Sequence, residues 1–338
     1  MFTSATTGVP LRRRTIHFAL AALVATTVSG CGLLGGSDGS TSGGSSGGLE
    51  KSSIKVSVMS VIDTTPLRLA VDNGYFKAEG LEVQPIEVPD GQTSLTKLIS
   101  GEADIAFSSY QPFFSAKAKN TGDIRLVADA VSASPKSNEI ITGANSSVKG
   151  IADLAGKKVA ITAKNTASDL LTRSVLKDHG VDPNKVNWVQ MGMANVAAAL
   201  KNGDIDAGYL AEPFLTQAGK TAGAVPLADA ASGATQDFPL AGYGALGKFV
   251  TDSPKTLAAF QRAMQKATRD AADRAKIEPL AVKYAKVDQD TAALLTLPTF
   301  VSTLDARRLQ RVPDLMQQMG AIPAKIDAAP MIAPQVSN

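Results

Sequence analysis

The sequence predicts an α/β fold of two similar lobes, each a mainly parallel sheet flanked by helices. Short apolar, β-branched segments alternate with helical patterns over most of the chain, which is typical of parallel βαβ units. An arrangement of a glycine turn with acidic residues also occurs twice, and each copy precedes an apolar strand and a proline. The copies are Leu98-x-x-Gly101-Glu102-x-Asp104 and Leu200-x-x-Gly203-Asp204-x-Asp206.

The elements of the two lobes follow the same plan. In the first lobe we predict strands at 54–59, 81–88 and 103–107, with helices at 66–76, at 93–100 and after 108–112. In the second lobe we predict strands at 157–162 and 186–191, with helices at 169–178 and 195–201. Thr65 and Pro66 suit the N-cap and the first position of the first helix.

The C-terminal third predicts one more strand and a helical tail. Residues 241–249 have a strand pattern, Ser253-Pro254 opens an amphipathic helix, and Pro313 marks a break or restart of the helical tail. Helices that follow the second lobe need an apolar face on which to pack, and the first lobe offers one. We therefore expect the chain to cross between lobes at 139–144 and 241–246. These crossings assign 54–141 and 245–338 to the first lobe and 142–244 to the second.

Charge and rare residues exclude several function classes. Lys plus Arg number 34 against 31 Asp plus Glu, and the whole excess of three comes from Arg12-Arg13-Arg14. The body is therefore neutral and lacks the basic field that nucleic-acid binding requires. Cys31, His17 and His179 are the only Cys and His residues, so the folded part has no Cys nucleophile, disulfide or Cys/His zinc cluster. His179 precedes Gly180 at a predicted helix end, where an imidazole serves the helix dipole.

The N-terminal segment has the organisation of a bacterial lipoprotein. The three arginines, an apolar run and small residues form an export signal over 1–30. Val28-Ser29-Gly30-Cys31 resembles a lipobox, which implies cleavage before Cys31 and lipidation of that residue; a buried structural Cys is the alternative. Residues 31–53, rich in Gly and Ser, are predicted to form a flexible tether to a membrane anchor.

Four loops at the carboxyl ends of predicted strands are rich in hydroxyl groups and small residues. Ligands of open α/β sheets bind at such ends, where helix N-termini present free N–H groups. Each hydroxyl can instead cap its own helix. The candidate ligand-binding residues are Thr64, Thr65, Ser108, Ser109, Tyr110, Asn165, Thr166, Ala167, Tyr209 and Glu212. We expect all four loops to face one cleft between the lobes.

Enzyme and cofactor motifs are incomplete or missing. Gly219-Lys220-Thr221 ends like a phosphate-binding loop, but Phe214 stands where that motif needs glycine. No G-x-G-x-x-G follows a predicted strand, and no G-x-S-x-G elbow joins a predicted strand to a predicted helix. The sequence therefore predicts no catalytic residue, no metal site and no cofactor.

A series of motifs resembles the sulfonate/nitrate/taurine-type periplasmic solute-binding proteins, whose superfamily includes binders of thiamine-pyrimidine precursors. The motifs are Pro66-x-x-x-Ala70-x-x-x-Gly74-Tyr75-Phe76-x-x-Glu79-Gly80-Leu81-x-Val83, Leu98-x-x-Gly101-x-x-Asp104-Ile105, Asp153-Leu154-x-Gly156-Lys157-Lys158-Val159 and Asp206-Ala207-x-x-x-x-Glu212-Pro213. The resemblance implies a two-lobe periplasmic-binding-protein-like fold of type II with two hinge crossings. It also implies a monomer that binds a small solute and delivers it to an ABC permease and its ATPase, without catalysis.

The solute itself is left open by these motifs. Ser109-Tyr110-Gln111-Pro112 looks like the pyrimidine binders, whereas Ala211-Glu212-Pro213-Phe214 looks like the sulfonate and nitrate relatives. Glu212 either faces the cleft, where it would favour an amine, or lies on the solvent or hinge side. Two other functions compete: a thiamine-pyrimidine synthase-like enzyme, and a lipid-anchored sensor subunit that presents its ligand to a receptor.

Overall fold

Two β-sheets organise the protein, and the computed structural model describes residues 48–336. The predicted signal peptide, the lipidation site Cys31 and most of the tether lie outside the described residues. The strands of the described part are β1 (Ser53–Val58), β2 (Glu82–Glu87), β3 (Ile105–Ser109), β4 (Ile124–Ser132), β5 (Asn138–Gly143), β6 (Lys158–Ile161), β7 (Asn187–Gln190), β8 (Ala207–Ala211), β9 (Ala224–Asp229), β10 (Pro239–Leu246) and β11 (Thr299–Phe300). The larger sheet has the order β11-β4-β10-β3-β1-β2, and the smaller one has the order β7-β6-β8-β5-β9. This architecture confirms the predicted α/β fold class.

Helices cover both sheets. They are α1 (Thr65–Asp72), α2 (Tyr75–Ala78), α3 (Gly91–Ile99), α4 (Tyr110–Ala118), α5 (Ala167–Asp178), α6 (Met193–Asn202), α7 (Phe214–Ala222), α8 (Gly247–Asp252), α9 (Pro254–Asp270), α10 (Arg274–Ala285), α11 (Gln289–Leu294) and α12 (Ala306–Gln318). Helices α5, α6 and α7 pack on the smaller sheet, whereas α3, α4, α8, α9 and α12 pack on the larger one. We call the larger sheet with its helices the first lobe and the smaller sheet with its helices the second lobe.

A three-stranded parallel unit is common to both sheets. Its first strand lies between the other two, as β2-β1-β3 in one sheet and β7-β6-β8 in the other. Gly101 follows α3 with φ of +76°, and Gly203 follows α6 with φ of +77°. Glycine adopts this left-handed conformation without the steric cost that other residues incur. The repeated glycine turns of the sequence therefore correspond to a repeated turn between helix and strand.

The chain passes between the lobes at residues 133–137 and 230–238. Both segments follow from strand pairing, because β4 and β10 pair in the larger sheet while β5 and β9 belong to the smaller one. The predicted crossings at 139–144 and 241–246 instead fall inside β5 and β10. The error of several residues has a physical reason: an apolar strand has the same pattern whichever sheet it joins, and its antiparallel partners are distant in sequence.

The C-terminal helices differ from the predicted tail in two places. The strand predicted to reach residue 249 ends at Leu246, and α8 follows directly. Pro313 does not break the tail but lies inside α12, where it is itself buried. The same helix buries Leu309, Val312 and Met316 against the first lobe. We infer that this apolar face compensates for the backbone hydrogen bond that proline removes.

The last residues of the predicted tether are fixed on the first lobe. The Glu50 carboxylate accepts hydrogen bonds from the backbone N–H groups of Lys255 and Thr256, at 3.2 and 2.9 Å. The Lys51 ammonium donates to Asp104 at 2.5 Å. Because Glu50 satisfies N–H groups that have no partner inside the first turn of α9, the folded body begins a few residues before position 54.

A buried ion pair ties the C-terminal helix α12 to the centre of the larger sheet. Asp129 of β4 has a fully buried side chain, and its carboxylate accepts hydrogen bonds from Arg308 and, at 2.6 Å, from the Tyr110 hydroxyl. Arg308 also donates to the Ser132 hydroxyl at 2.6 Å. Burial raises the pKa of Tyr110 above its ordinary range, so this hydroxyl remains a donor to Asp129.

We expect Arg308→Met to destabilise the protein by about 3–5 kcal/mol, because it leaves the Asp129 carboxylate buried without its cation. The neighbouring Arg307 is exposed, so Arg307→Met should change the free energy of unfolding by no more than about 0.5 kcal/mol. Denaturant unfolding of the two variants measures this difference. Equal midpoints for both variants would show that the buried pair does not stabilise the first lobe.

Candidate functional site

A cavity lies between the two lobes, at the carboxyl ends of their parallel strands. It contains about 520 Å³ of empty space, including the part that is open to solvent. Phe107 and Ser109 line it from β3, and Tyr209 and Ala211 line it from β8. Ligands of open α/β sheets bind at this end of the strands. The cavity is therefore the candidate binding site.

The ten predicted ligand-binding residues divide between this cavity and the protein interior. Four of them line the cavity, namely Ser109, Thr166, Ala167 and Tyr209. The other six, Thr64, Thr65, Ser108, Tyr110, Asn165 and Glu212, lie outside its lining. Both groups lie at the carboxyl ends of strands or in the first residues that follow them, and individual side chains point either into the cavity or into the protein interior.

The two threonines after β1 serve their own turn. The Thr64 hydroxyl lies 3.0 Å from the backbone oxygens of both Met59 and Val61, which share its single proton as acceptors. The Thr65 hydroxyl donates to the backbone oxygen of Ile62. Both residues are buried. Their hydroxyls satisfy carbonyl groups of the turn and are not directed into the cavity.

The adjacent serines at the end of β3 point in opposite directions, as successive residues of a strand do. Ser108 is fully buried, and its hydroxyl donates to the backbone oxygen of Gly91 at 3.2 Å. Ser109 lines the cavity, where its hydroxyl accepts a long hydrogen bond, 3.4 Å, from the backbone N–H of Ala167. Ser109 thus contacts the second lobe from the first. Tyr110 turns away from the cavity toward Asp129.

Hydroxyl groups gather at the N-terminus of α5. The Thr166 hydroxyl lies 3.2 Å from that of Thr162 and 2.8 Å from that of Ser168, and all three residues line the cavity. Asn165 does not join them: it has φ of +58°, and its backbone N–H donates to the Asp169 carboxylate at 2.8 Å. The second lobe therefore presents neutral hydroxyls to the cavity.

Tyr209 and Asn138 form a buried polar pair in the cavity wall. The Tyr209 hydroxyl donates to the side-chain oxygen of Asn138. Burial raises the pKa of Tyr209 above its ordinary range, and the negative charges of Asp63 and Asp229 add to that shift. Tyr209 therefore stays neutral and offers its ring and its hydroxyl oxygen to a ligand.

Glu212 is neither exposed to solvent nor part of the cavity lining. It is buried, and its carboxylate accepts hydrogen bonds from the backbone N–H and the hydroxyl of Thr216, at 3.0 and 2.8 Å. It also accepts one from the backbone N–H of Thr296 at 3.1 Å. Glu212 thus caps α7 of the second lobe and holds the segment that leads to β11 of the first.

Asp63 is the important lining residue that the selection of hydroxyls missed. It lies in the short turn between β1 and α1, beside Thr64, and it is partly exposed where it lines the cavity. Burial raises the pKa of its carboxyl to about 7. The sequence does hold a clue, since Asp63 stands directly beyond an apolar strand in a loop already expected to bind. Asn138, in contrast, lies in a strand and has no local pattern that marks it.

Other functional groups lie away from the cavity. His179 donates from its ring to the backbone oxygen of Val175 at 2.8 Å, at the end of α5. Within residues 48–336, no group of three or more His, Cys, Asp or Glu is arranged to hold a metal ion. Over the same residues, no helix is long and apolar enough to cross a membrane.

Several curated proteins share part of this sequence, and three of them represent the range of names. A putative aliphatic sulfonates-binding protein of Bacillus subtilis is 25% identical over 158 residues, 45% of this chain and 46% of that protein. A 4-amino-5-hydroxymethyl-2-methylpyrimidine phosphate synthase of Aspergillus parasiticus is 31% identical over 146 residues, 42% of this chain and 40% of that protein. A putative ABC transporter periplasmic binding protein of Brachyspira hyodysenteriae is 28% identical over 184 residues, 50% of this chain and 52% of that protein. The chain thus spans about half the length of these relatives.

A structural comparison and a comparison with protein families point to the same group of proteins as these relatives. The alkanesulfonate-binding protein SsuA from Xanthomonas axonopodis pv. citri, solved with bound MOPS, superimposes with a TM-score of 0.72. The superposition covers 84% of this chain and 99% of that one at 19% identity, so it establishes a shared periplasmic-binding-protein fold. Residues 61–276 match the family described as NMT1/THI5 like. This match extends over more than half of the sequence, and the chain therefore belongs to the NMT1/THI5-like family.

Proposed function

We propose that this protein is an extracytoplasmic solute-binding protein that captures a small polar organic solute between its lobes. It then delivers the solute to an ABC permease and its associated ATPase. The observation that carries the proposal is the cavity itself, which both lobes line and which lies at the carboxyl ends of their parallel strands. The names of the bacterial relatives and the shared fold support the same role.

Closure of the lobes around a ligand is the expected mode of binding. Ser109 contacts the backbone N–H of Ala167 across the cavity at 3.4 Å, and the backbone N–H of Ile62 reaches the backbone oxygen of Glu212 at 3.4 Å. Two crossing segments join the lobes, so a change in a few backbone angles there would open the cavity. A ligand that contacts both walls would favour the closed arrangement.

The solute classes under consideration are alkanesulfonates, taurine, nitrate and thiamine-pyrimidine precursors. Among the described residues that line the cavity, apolar side chains such as Phe107, Leu240 and Met193 lie beside hydroxyls and one carboxylate. Such a mixed lining suits a small organic molecule with a polar end better than a small inorganic ion such as nitrate.

An enzymatic role is the second candidate, because the relative from Aspergillus parasiticus is named a pyrimidine phosphate synthase. The described cavity lining contains no Cys and no His side chain that could act as nucleophile or proton carrier. This composition favours binding over synthesis. Mass spectrometry of the protein incubated with candidate precursors distinguishes the two, since a binding protein returns its ligand chemically unchanged.

The first test is a thermal-shift screen of residues 48–338 against the four solute classes. A ligand that binds the folded state raises the melting temperature by mass action, and by more as its concentration exceeds the dissociation constant. Small-angle scattering with the best ligand should then show a smaller radius of gyration and a monomeric mass. A ligand that stabilises the protein while leaving the scattering profile unchanged would contradict closure of the lobes.

Ser109 and Ser108 provide a matched pair for locating the site. In the complex, we expect a polar group of the ligand to bind the Ser109 hydroxyl in place of the long contact to Ala167. Ser109→Ala should then weaken binding by about 1–3 kcal/mol, because that buried group of the ligand loses its hydrogen-bond partner. Ser108→Ala removes an equal hydroxyl that bonds only to Gly91, so affinity should be unchanged. Calorimetric titration of both variants measures the difference. Equal affinities would place the ligand outside this cavity.

Membrane anchoring through Cys31 is a separate part of the proposal and rests on the Val28-Ser29-Gly30-Cys31 motif. Cys31→Ala should prevent lipidation, so the protein should leave the membrane fraction or remain unprocessed. Ser37→Ala, a change in the same predicted tether, should leave fractionation as it is. Fractionation followed by intact-mass analysis tests this. Lipidation at this residue would be contradicted if the Cys31→Ala protein had the same processing and the same membrane location as the parent, with a mass that differs only by the substitution.

A further inference from the structure

Asp63 is the one charged residue among the described residues that line the cavity. It occupies the turn Ile62–Thr64 between β1 and α1 of the first lobe. Its carboxylate makes no ion pair and no hydrogen bond with any other described residue, and only its own backbone N–H contributes a favourable contact. A carboxylate in such a position is costly to bury unless a partner arrives.

The groups that surround Asp63 supply no such partner. Tyr209 lines the same cavity from β8, and its hydroxyl already donates to Asn138. Tyr243 of β10 lies near enough for the Asp63 charge to raise its pKa, and its buried hydroxyl has no hydrogen-bond partner among the described residues. Arg68 of α1 lies near Tyr243, but its guanidinium pairs with Glu87 of β2 and lies 4.7 Å from the ring centre of Tyr284.

The remaining acidic groups near this wall belong to the second lobe and are directed elsewhere. Asp229 accepts hydrogen bonds from the backbone N–H groups of Lys136 and Ala231, at 2.9 and 2.8 Å. Glu139 lies in β5 beside Asn138 but does not line the cavity, and burial raises its pKa. Neither carboxylate lines the cavity. The described residues that do line it include one acidic residue, Asp63, and no Lys, Arg or His.

We propose that Asp63 determines ligand specificity by binding a protonated amine or an N–H donor, so that the site prefers an amine-bearing solute to a bare oxyanion. This inference rests on the proposed solute-binding function and narrows its ligand class. The hydroxyls of Thr162, Thr166 and Ser168 complete the site from the second lobe, and the Ser109 hydroxyl contributes from the first. They are neutral and suit the uncharged or acceptor end of the same ligand.

The two ligand classes predict opposite responses to pH. Because the pKa of Asp63 is near 7, the carboxylate is ionised at pH 8 and largely protonated at pH 5.5. An alkylammonium group needs the ionised form, so its affinity should fall by up to about tenfold per pH unit below 7. A sulfonate is repelled by the ionised form, so its affinity should instead rise as the pH falls. The pKa values of Tyr209 and Tyr243 are raised away from this range.

Taurine and propane-1-sulfonate form a matched pair, since an ammonium group in the first is a methyl group in the second. We expect calorimetry at pH 8 to give at least about tenfold tighter binding of taurine than of propane-1-sulfonate, the factor that one ionic contact of 1.4 kcal/mol represents. Comparison of 4-amino-5-hydroxymethyl-2-methylpyrimidine with its 4-methyl counterpart tests the neutral N–H donor in the same way. Asp63→Asn should abolish the preference for the amine in whichever pair binds, and Glu139→Gln should keep it.

A measurement without ligand checks the carboxyl itself. The pKa of Asp63 is higher in the folded state than its ordinary value near 4, so its protonated form stabilises the fold and this contribution is lost as the pH rises toward 7. The melting temperature of the parent should therefore fall, relative to Asp63→Asn, between pH 5 and pH 8. Parallel pH profiles for these two proteins would contradict the raised pKa and, with it, the predicted loss of amine affinity between pH 8 and pH 5.5.

The binding outcomes separate this inference from the proposed function. Propane-1-sulfonate that binds as tightly as taurine, or an Asp63→Asn variant that keeps the amine preference, overturns the inference and leaves the solute-binding function standing. If neither amines nor oxyanions bind the parent protein at either pH, both the inference about Asp63 and the proposed solute-binding function are contradicted. An amine preference that Asp63→Asn removes and Glu139→Gln retains supports both.

Discussion

The pairing of two crossing segments with each other is the constraint on which the site depends. The backbone N–H of Ala133 in one segment donates to the backbone oxygen of Phe238 in the other at 2.9 Å. At the adjoining edge of the second lobe, the N–H of Lys136 reaches the Asp229 carboxylate and the N–H of Ala230 reaches the backbone oxygen of Asn138. These bonds bring the carboxyl ends of the parallel strands in both lobes to one cavity. Because only short segments are involved, they fix where the lobes meet while leaving few bonds to resist a hinge motion.

Several hydroxyls near the N-termini of the helices form hydrogen bonds within the protein, and this leaves few polar groups in the cavity for a ligand. A buried hydroxyl without a partner is costly, so Thr64, Thr65 and Ser108 bond to nearby backbone oxygens. What remains for a ligand is a small set. It consists of the Ser109 hydroxyl, which accepts one long bond, the hydroxyls of Thr162, Thr166 and Ser168 in the cavity lining, and the Asp63 carboxylate, whose charge has no partner among the described residues. Specificity in such a site comes from the groups that the fold leaves unsatisfied.

Local patterns predicted the repeated βαβ units and the loops of the site, because periodicity and glycine turns act over a few residues. They did not reveal β4 or β9, whose neighbours in the sheets are distant in sequence. Asp129 illustrates the difficulty: an acid within a strand argues against burial until Arg308, 179 residues later, is known to pair with it. Within the loops, a sequence cannot show which hydroxyl caps a helix and which faces the cavity. Ser108 and Ser109 are adjacent, equally polar and opposite in direction.

Several of the polar contacts that join the lobes around the cavity are long or exposed to solvent, which suits the proposed closure around a ligand. Lys220 of α7 and Asp288 before α11 form an ion pair at 3.1 Å, but both side chains are substantially exposed, and such pairs contribute about 0–1 kcal/mol. The contacts from Ser109 to Ala167 and from Ile62 to Glu212 are both 3.4 Å long. The buried bond from Thr296 to Glu212 is shorter, at 3.1 Å. A ligand need supply only a few kcal/mol of differential binding to shift such an equilibrium toward the closed form, and loss of the ligand would reverse it.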